Sequence, residues 1–232
     1  MSDNVLHDAF VWLNDPLNWQ GPDGILTLTA QHLGMTAAAV GIAAVIALPL
    51  GTWLGHVRRF DRFSAGLLVA ANTSRALPTL GVILLLATAG LFGNTATVIA
   101  AALFAIPVIL TNTYTGVRGV DAGVTDAARG VGMGGTRIVW QVELPLAVPL
   151  VAAGLRTTIV QVVATIPLAA LAGGGGLGQI INLGFGTQNY GQVLAGGLLI
   201  AVLCLVIDGI LAVLQRVVTP RPLRVSGRPR TA

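Results

Sequence analysis

Three charged side chains lie deep inside otherwise apolar stretches of this sequence, and they are its first candidates for chemistry. They are Arg75, Arg156 and Asp208. Each lies about ten residues from one end of its stretch, which is roughly 15 Å at the α-helical rise. Because a charge at that depth in hydrocarbon is expensive, we expect these side chains to face the protein interior, with Asp208 paired to Arg156 or Arg75. Such a charge layer serves either as a clamp between helices or as part of a gate or substrate path.

No residues in the sequence have the spacing of a catalytic site. There is no phosphate-binding Gly-rich loop and no nucleophile spaced to meet a general base. The single cysteine, Cys204, lies in an apolar run, so an internal disulfide and a Cys-based metal site are excluded. The three histidines, His7, His32 and His56, follow no metal-ligand spacing. The sequence therefore predicts a protein that is not an enzyme and that holds no metal or cofactor of its own.

The composition is typical of a membrane protein. Of the 232 residues, 54% are hydrophobic and 9% are charged, whereas an average soluble domain carries about 25% charged residues. The mean hydropathy is +0.82. All 13 basic residues are Arg, and they exceed the 9 acidic residues to give a net charge of +4. Because these Arg residues flank apolar stretches, they indicate orientation in a membrane rather than binding to nucleic acid.

Five stretches are long and apolar enough to cross a bilayer, which takes about 20 residues. They cover residues 33–54, 66–91, 95–114, 147–171 and 193–215. Connecting segments that carry Arg alternate with segments that carry none, as the positive-inside rule requires. We therefore predict an all-α, polytopic membrane protein of five transmembrane helices, with the N-terminus outside and the C-terminus in the cytoplasm. The predicted parts are an extracytoplasmic or interfacial segment (1–32), a five-span domain (33–217) and an Arg-rich cytoplasmic tail (218–232).

The longest predicted cytoplasmic loop, residues 115–146, is expected to contain a short exposed helix. Its acidic residue, Asp126, suits the first turn of that helix, where negative charge is favourable. Gly132 and the glycines after it break the helix. Pro145 falls where the fourth span is predicted to begin, which is an allowed position for proline. An ordinary connection rarely needs about 30 residues, so the loop suits docking to a soluble partner.

This loop resembles the EAA signature of ABC importer permeases, which reads Glu-Ala-Ala, three residues, Gly, nine residues, Ile, any residue, Leu-Pro. Here the pattern is Asp126-Ala127-Ala128, three residues, Gly132, nine residues, Val142-Glu143-Leu144-Pro145. Every spacing holds, and Asp for Glu and Val for Ile keep charge and shape, although Asp reaches one methylene less far. The resemblance implies the transmembrane domain of a type I ABC importer. The residues implied to couple it to an ATPase are Asp126, Ala127, Ala128, Arg129, Gly132, Glu143 and Pro145.

Further segments are similar to permeases that import quaternary-amine osmolytes, namely glycine betaine, carnitine, choline and proline betaine. They are residues 17–25 (LNWQGPDGI) with 31–33 (QHL), residues 171–181 (LAGGGGLGQII), and Asp208 with 219–221 (TPR). The Gly-Gly-Leu-Gly turn also occurs in methionine-type permeases, so a methionine-type or other small-solute importer is the alternative.

The resemblance also implies the partners and the location of the chain. It implies a multi-pass subunit of the bacterial cytoplasmic membrane that works with a cytoplasmic ABC ATPase dimer, an extracytoplasmic substrate-binding protein and membrane lipid. A second permease subunit, identical or related, is needed because five spans are too few to enclose a wide path. ATP and Mg²⁺ would bind in the ATPase, and no nucleic acid is involved. A membrane-embedded enzyme and a passive channel or secondary transporter are the other classes, and genes for an ATPase and a binding protein beside this one would argue against both.

Proline and glycine mark places where the path is expected to bend or open. Pro78 kinks the second span, either as a bend in the path or as a packing kink. A Gly-rich turn follows the fourth span on the predicted outer side and contains Gly174, Gly175, Gly176 and Gly178. The turn serves either as a flexible outer gate or surface for the binding protein, or simply as a re-entrant turn. We favour a short re-entrant or interfacial segment that comprises residues 179–185.

Overall fold

A computed structural model describes residues 4–57, 61–74 and 76–219, and every regular element in these ranges is helical. The helices are α1 (Val5–Asn14), α2 (Ile25–His56), α3 (Asp61–Ser74), α4 (Thr79–Thr88), α5 (Gly93–Arg118), α6 (Ala122–Gly130), α7 (Gly135–Ile138), α8 (Leu144–Thr165), α9 (Gly178–Gly186) and α10 (Tyr190–Val218). A 3₁₀ turn (Pro16–Trp19) follows α1, a π turn (Val139–Glu143) joins α7 to α8, and a 3₁₀ segment (Ile166–Ala172) extends α8. The predicted all-α fold is confirmed.

Four helical stretches among the described residues are long and apolar enough to cross a membrane. They are Ile25–His56, Gly93–Arg118, Gly135–Ala172 and Tyr190–Val218. The prediction of one continuous span over residues 66–91 is wrong, because α3 ends at Ser74 and α4 begins only at Thr79. Helix α4 is apolar but has only 10 residues.

The interruption between α3 and α4 lies at Pro78, where the sequence predicts a kink within a continuous helix. Proline lacks a backbone donor, its ring clashes with the carbonyl four residues earlier, and the residue before it avoids the α conformation. Pro78 instead lies just before α4 with an extended ψ of 117°. Its carbonyl accepts a hydrogen bond from the Val82 N–H at 3.1 Å, so the new helix starts from the proline itself.

The helical stretch that contains the predicted fourth span, residues 147–171, begins well before that span. Helical residues continue without a gap from Gly135 to Ala172. Pro145 is the second residue of α8, which directly follows the π turn. A π turn moves hydrogen bonding to the carbonyl five residues back, as in the bond from the Leu144 N–H to the Val139 carbonyl. This wider turn leaves room for the proline ring, so the helix passes Pro145 without ending.

The chain divides into two compact units, each made of three segments. The first unit contains residues 1–42, 76–105 and 159–207, and the second contains residues 43–75, 106–158 and 208–232. In the first unit, buried residues form two apolar clusters. One contains Ile25, Leu28, Leu177 and Ile180, and the other contains Ile83, Ala96 and Ala100.

Small residues bring α2 and α5 into close contact in the second unit. A Cβ atom added to Gly51 would lie 2.8 Å from the Cβ of Thr113, and one added to Gly55 would lie 2.8 Å from the Cβ of Val117. Real Cβ atoms do not approach this closely, so only glycine fits at either position. In hydrocarbon, where apolar side chains gain little by leaving lipid, such close backbone approach is a main source of helix association.

Replacing Gly51 by Ala is therefore expected to destabilise the protein by about 1–3 kcal/mol, as overpacking does. Gly34 lies in the same helix, and a Cβ atom added there would meet nothing within 4 Å. Ala at Gly34 should gain up to about 1 kcal/mol of helix propensity. Thermal unfolding of the purified protein in detergent should show a lower midpoint for Gly51→Ala and an unchanged or higher one for Gly34→Ala. Equal midpoints for the two variants would contradict the close contact at Gly51.

Candidate functional site

Helix α6 carries the acidic motif, and polar groups fix where it begins. The Asp121 carboxylate accepts a hydrogen bond from the Gly123 N–H at 2.6 Å and so caps the helix. The expectation that Asp126 lies in the first turn is wrong, because α6 begins at Ala122 and Asp126 is its fifth residue. The capping acid is the one that precedes the motif.

Gly132 fixes where α6 ends. Its φ of +87° is left-handed. Its N–H bonds to the Arg129 carbonyl at 2.9 Å, and the Met133 N–H bonds to the Ala128 carbonyl at 3.1 Å. These two bonds form a Schellman motif, in which glycine avoids a cost of roughly 1–2 kcal/mol that other residues incur. The glycine of the sequence pattern is thus required by the helix end.

The two faces of α6 differ in a way that suits docking. Thr125 and Ala128 are buried, whereas Asp126, Ala127 and Arg129 are exposed. Asp126 accepts a hydrogen bond from Arg129 Nη1 at 2.7 Å, with 68% and 52% of the two side chains exposed. An exposed ion pair of this kind contributes about 0–1 kcal/mol, so either charge is available to a partner at little cost.

Glu143 has a different environment from Asp126, although the sequence predicts that both couple the chain to a partner. It is buried in the π turn, and its Oε2 lies 2.7 Å from Nδ1 of His56, the last residue of α2. Glu143 therefore ties the end of α2 to the π turn and offers no exposed carboxylate, while Pro145 beside it is exposed. His56 has no role that the sequence predicts, because a lone histidine 87 residues from its partner leaves no local signal.

The intramembrane charges form a specific pair in the second unit. Arg156 in α8 donates from Nε to Asp208 Oδ1 and from Nη2 to Asp208 Oδ2, both at 2.7 Å, and Asp208 belongs to α10. Gln215, two turns further along α10, accepts from Arg156 Nη1 at 3.4 Å. The predicted pairing of Asp208 is thus found with Arg156, whereas Arg75 lies outside the described residues.

The Arg156–Asp208 pair is not enclosed by the described part of this chain. About a third of the Arg156 side chain and two-fifths of the Asp208 side chain stay exposed, at 33% and 40%. The sequence predicts that both face the protein interior, whereas the single chain leaves one side of the pair open. A charged pair in contact with lipid tails is costly, so this open side requires protein or water against it.

Removing one member of this pair is expected to be worse than removing both, because a single replacement leaves an uncompensated charge among apolar helices. Asp208→Asn and Arg156→Gln should each lower the amount of folded, membrane-inserted protein several-fold. The double variant, Arg156→Gln with Asp208→Asn, should recover much of that loss. Fluorescence-detected size-exclusion chromatography of solubilised membranes measures this directly. If the amount of folded protein in the double variant falls by the product of the two single losses, the two groups act independently.

The Gly-rich turn of the first unit is packed and hydrogen-bonded. Gly174, Gly175, Gly176 and Gly178 are all buried. The Gly175 N–H donates to Asn94 Oδ1 at 2.7 Å, and the Gly176 N–H donates to Gln31 Oε1 at 3.2 Å. Gly173 and Gly176 have left-handed φ values of 74° and 85°. The turn leads into α9, which covers the segment where a short re-entrant or interfacial element is predicted.

The all-helical fold with long apolar helices and the exposed motif helix are consistent with the membrane subunit of a transporter. The chain belongs to the family of binding-protein-dependent transport system inner membrane components, whose sequence pattern matches residues 47–220. The predicted resemblance to ABC importer permeases is thereby confirmed. So are the predictions that the chain is a transport subunit rather than an enzyme and that it lies in the cytoplasmic membrane.

Three curated relatives show the similarity in detail. The glycine betaine/carnitine/choline transport system permease protein OpuCB of Bacillus subtilis (strain 168) is 32% identical over 86% of this chain and 91% of its own length. The choline transport system permease protein OpuBB of the same strain is 32% identical over 84% and 89%. The osmoprotectant import permease protein OsmW of Salmonella typhimurium (strain LT2) is 32% identical over 86% and 94%.

A solved structure shares the fold. A chain of the MetNI methionine ABC transporter, in an inward-facing conformation, superposes with a TM-score of 0.77 and covers 89% of this chain and 100% of its own length. Its sequence identity is 22%, so the similarity is one of fold alone. The predicted type I importer fold agrees with this superposition.

Proposed function

We propose that this chain is the permease subunit of an ABC importer for quaternary-amine compatible solutes, such as glycine betaine, choline, carnitine and proline betaine. The observation that carries the proposal is 32% identity over 84–86% of the chain to permeases named for these solutes or for osmoprotectants. The full spacing of the EAA pattern, whose Asp126-Ala127-Ala128 start lies on a helix with an exposed face, supports the ATP-driven mechanism. A methionine importer is the second candidate, favoured only by the shared fold at 22% identity.

Helix α6 is the element that we expect to enter a groove on the ATPase subunit. Its exposed face presents Asp126 and Arg129, and its buried face packs on α7 and the π turn. The π turn continues directly into α8, and Glu143 within it holds His56 at the end of α2. A movement of α6 is therefore passed to two long helices through bonded contacts, which gives a physical route for coupling. ATP and Mg²⁺ bind in the partner ATPase dimer.

The translocation path is proposed to lie between two permease subunits, identical or related. The half-exposed Arg156–Asp208 pair then faces either the second subunit or the water-filled path. In either place it avoids the free-energy cost of contact with lipid tails. The break at Pro78 gives a non-helical stretch of backbone, which is tolerated at membrane depth only where protein or water satisfies its polar groups. The Arg-free N-terminal segment faces outward, toward a substrate-binding protein, if the positive-inside rule holds.

The proposal predicts ATP-dependent uptake of glycine betaine and choline, but not of methionine, into proteoliposomes. These would contain the chain, the ATPase and binding protein encoded beside it, and any second permease. Omitting the ATPase should abolish uptake, because this chain's described residues offer no nucleotide site of the P-loop kind. Uptake of methionine alone would support the role as a permease but contradict the proposed substrate class. Uptake without the ATPase would contradict the ABC mechanism itself.

A second prediction separates contact with the ATPase from the stability of α6. Asp126→Arg with Arg129→Asp keeps an ion pair within the helix but reverses the charges shown to the partner. If Asp126 contacts the ATPase, we expect the swapped variant and the single variant Asp126→Arg each to lose at least ten-fold in transport and in substrate-stimulated ATP hydrolysis. Normal transport by the swapped variant would show that the pair serves only the helix. Arg137→Gln, which alters an exposed arginine bonded to Gln141, is the matched control.

A further inference from the structure

The first unit contains a cavity of about 780 Å³ that takes no part in the coupling and pairing described for the second unit. Its wall is formed by the N-terminal segment, the Gly-rich turn and the start of α9, and all of its lining residues belong to this one unit. The polar and aromatic side chains that matter for binding are Trp12, Asn18, Asp23, Asn182 and Gln192. The size is within the range of small-molecule sites, which is roughly 300–1,000 Å³.

The charge of this wall favours a cation. Among the described residues, Asp23 is the one charged side chain that lines the cavity, and no Arg, Lys or His contributes to the lining. The three segments of the first unit contain four Asp residues and no Arg anywhere in their sequence. A cleft whose fixed charges all have one sign concentrates ligands of the other sign. An anion is therefore a poor candidate for this cavity.

Trp12 supplies the aromatic surface that such a cation needs. Its side chain packs against the apolar cluster around Ile25 and Leu28, and Trp12 is one of the residues that line the cavity. Its carbonyl accepts from Asn18 Nδ2 at 2.8 Å, and the neighbouring Leu13 carbonyl accepts from Trp19 Nε1 at 2.7 Å. These bonds fold the segment after α1 back on the helix, and packing against the apolar cluster restrains the indole before any ligand arrives. A fixed ring loses little entropy on binding.

Gln192 supplies an unused polar group at the same cavity. It is 8% exposed and lines the cavity. Its backbone N–H donates to Asn189 Oδ1 at 3.0 Å, but its side-chain amide forms no hydrogen bond within the described residues. The amide is not sealed from solvent, so it can meet a polar group of a ligand that enters the cavity. A carboxylate or hydroxyl at the far end of the ligand would provide it.

We propose that this cavity binds a quaternary ammonium solute on the permease itself, with the cationic head at Trp12 and Asp23 and the polar end at Gln192. The inference rests on the proposed function for its substrate class, and it adds a second point of selection beside the binding protein. An aromatic face attracts a quaternary ammonium through the cation–π interaction, and Asp23 adds a carboxylate that no cation of the described lining competes for.

The test is equilibrium binding of radiolabelled choline and glycine betaine to the purified permease–ATPase complex in nanodiscs, with the binding protein left out. We expect saturable binding of both solutes and none of methionine. Trp12→Leu should weaken binding by about 2- to 30-fold, the span that cation–π energies imply. Asp23→Asn should also weaken binding, because it removes the one negative charge among the lining residues. Trp12→Phe should restore part of the loss. Gln192→Leu should weaken glycine betaine more than choline, because only glycine betaine presents a carboxylate to the amide.

Two residues of the same segment provide matched controls outside the cavity. Phe10→Leu and Asp15→Asn remove an exposed aromatic ring and a carboxylate that do not line it, and we expect both to bind solute as the unchanged protein does. Losses in these controls equal to those of Trp12→Leu and Asp23→Asn would overturn the site. A second result would also overturn the site: Trp12→Leu and Asp23→Asn bind solute normally without the binding protein but lose uptake in the complete importer. The surface would then be a contact for the binding protein.

The outcomes also separate this inference from the proposed function. If the complete importer takes up glycine betaine while the complex without binding protein binds neither solute, the cavity site is wrong and the function stands. If the complete importer takes up methionine and neither quaternary amine, the proposed substrate class fails and the site fails with it.

Discussion

Helices in a bilayer gain little by hiding apolar surface from one another, so this structure depends on how closely their backbones can approach. Along α2 the residues that allow this recur every fourth position: Ala39, Ala43, Ala47, Gly51 and Gly55, all of them buried. At the last two, any Cβ would collide with α5. The packing face of α2 therefore differs from its other faces in having small side chains, not in being more apolar. For this reason the sequence of α2 is apolar on all sides. The apolar surface of α10, by contrast, stays largely exposed within the described part of the single chain.

Against that apolar background, the few polar side chains act as fixed connections. His56 and Glu143 join α2 to the π turn, and Arg156 and Asp208 join α8 to α10. His32, fully buried, places Nε2 2.9 Å from the Val163 carbonyl, to which it donates. Because an unpaired polar group in such surroundings costs free energy, each bond restricts the register of the helices that it connects. The bond between His56 and Glu143 also belongs to the proposed route from the motif helix to the membrane.

Most of the helices could be predicted from the sequence because their length and hydropathy follow from the bilayer alone. The prediction of helix ends failed where the local backbone geometry determines whether a helix stops at a proline. Pro78 ends one helix and starts another, whereas Pro145 is passed without a break, and the two prolines look alike in the sequence. Pro49, Pro107 and Pro149 also lie inside helices, so a proline alone does not decide where a helix ends. At Pro145 a π turn precedes the proline, and its Glu143 is held by His56 from a distant helix. The Gly-rich turn likewise depends on Asn94 and Gln31, which come from distant parts of the chain.

Local patterns were enough to establish the class of protein, because the EAA spacing, the apolar spans and the distribution of Arg can each be read from neighbouring residues. They also indicated that Asp208 needs a cation, since burying one charge in hydrocarbon demands another. Helix packing was needed to show which residues of the motif face outward, with Asp126 exposed and Glu143 buried. It was needed again to bring Trp12, Asp23 and Gln192 to one cavity. The physical reason is that most of these side chains come together from distant parts of the sequence. A row of small residues, moreover, does not specify which other helix packs against it.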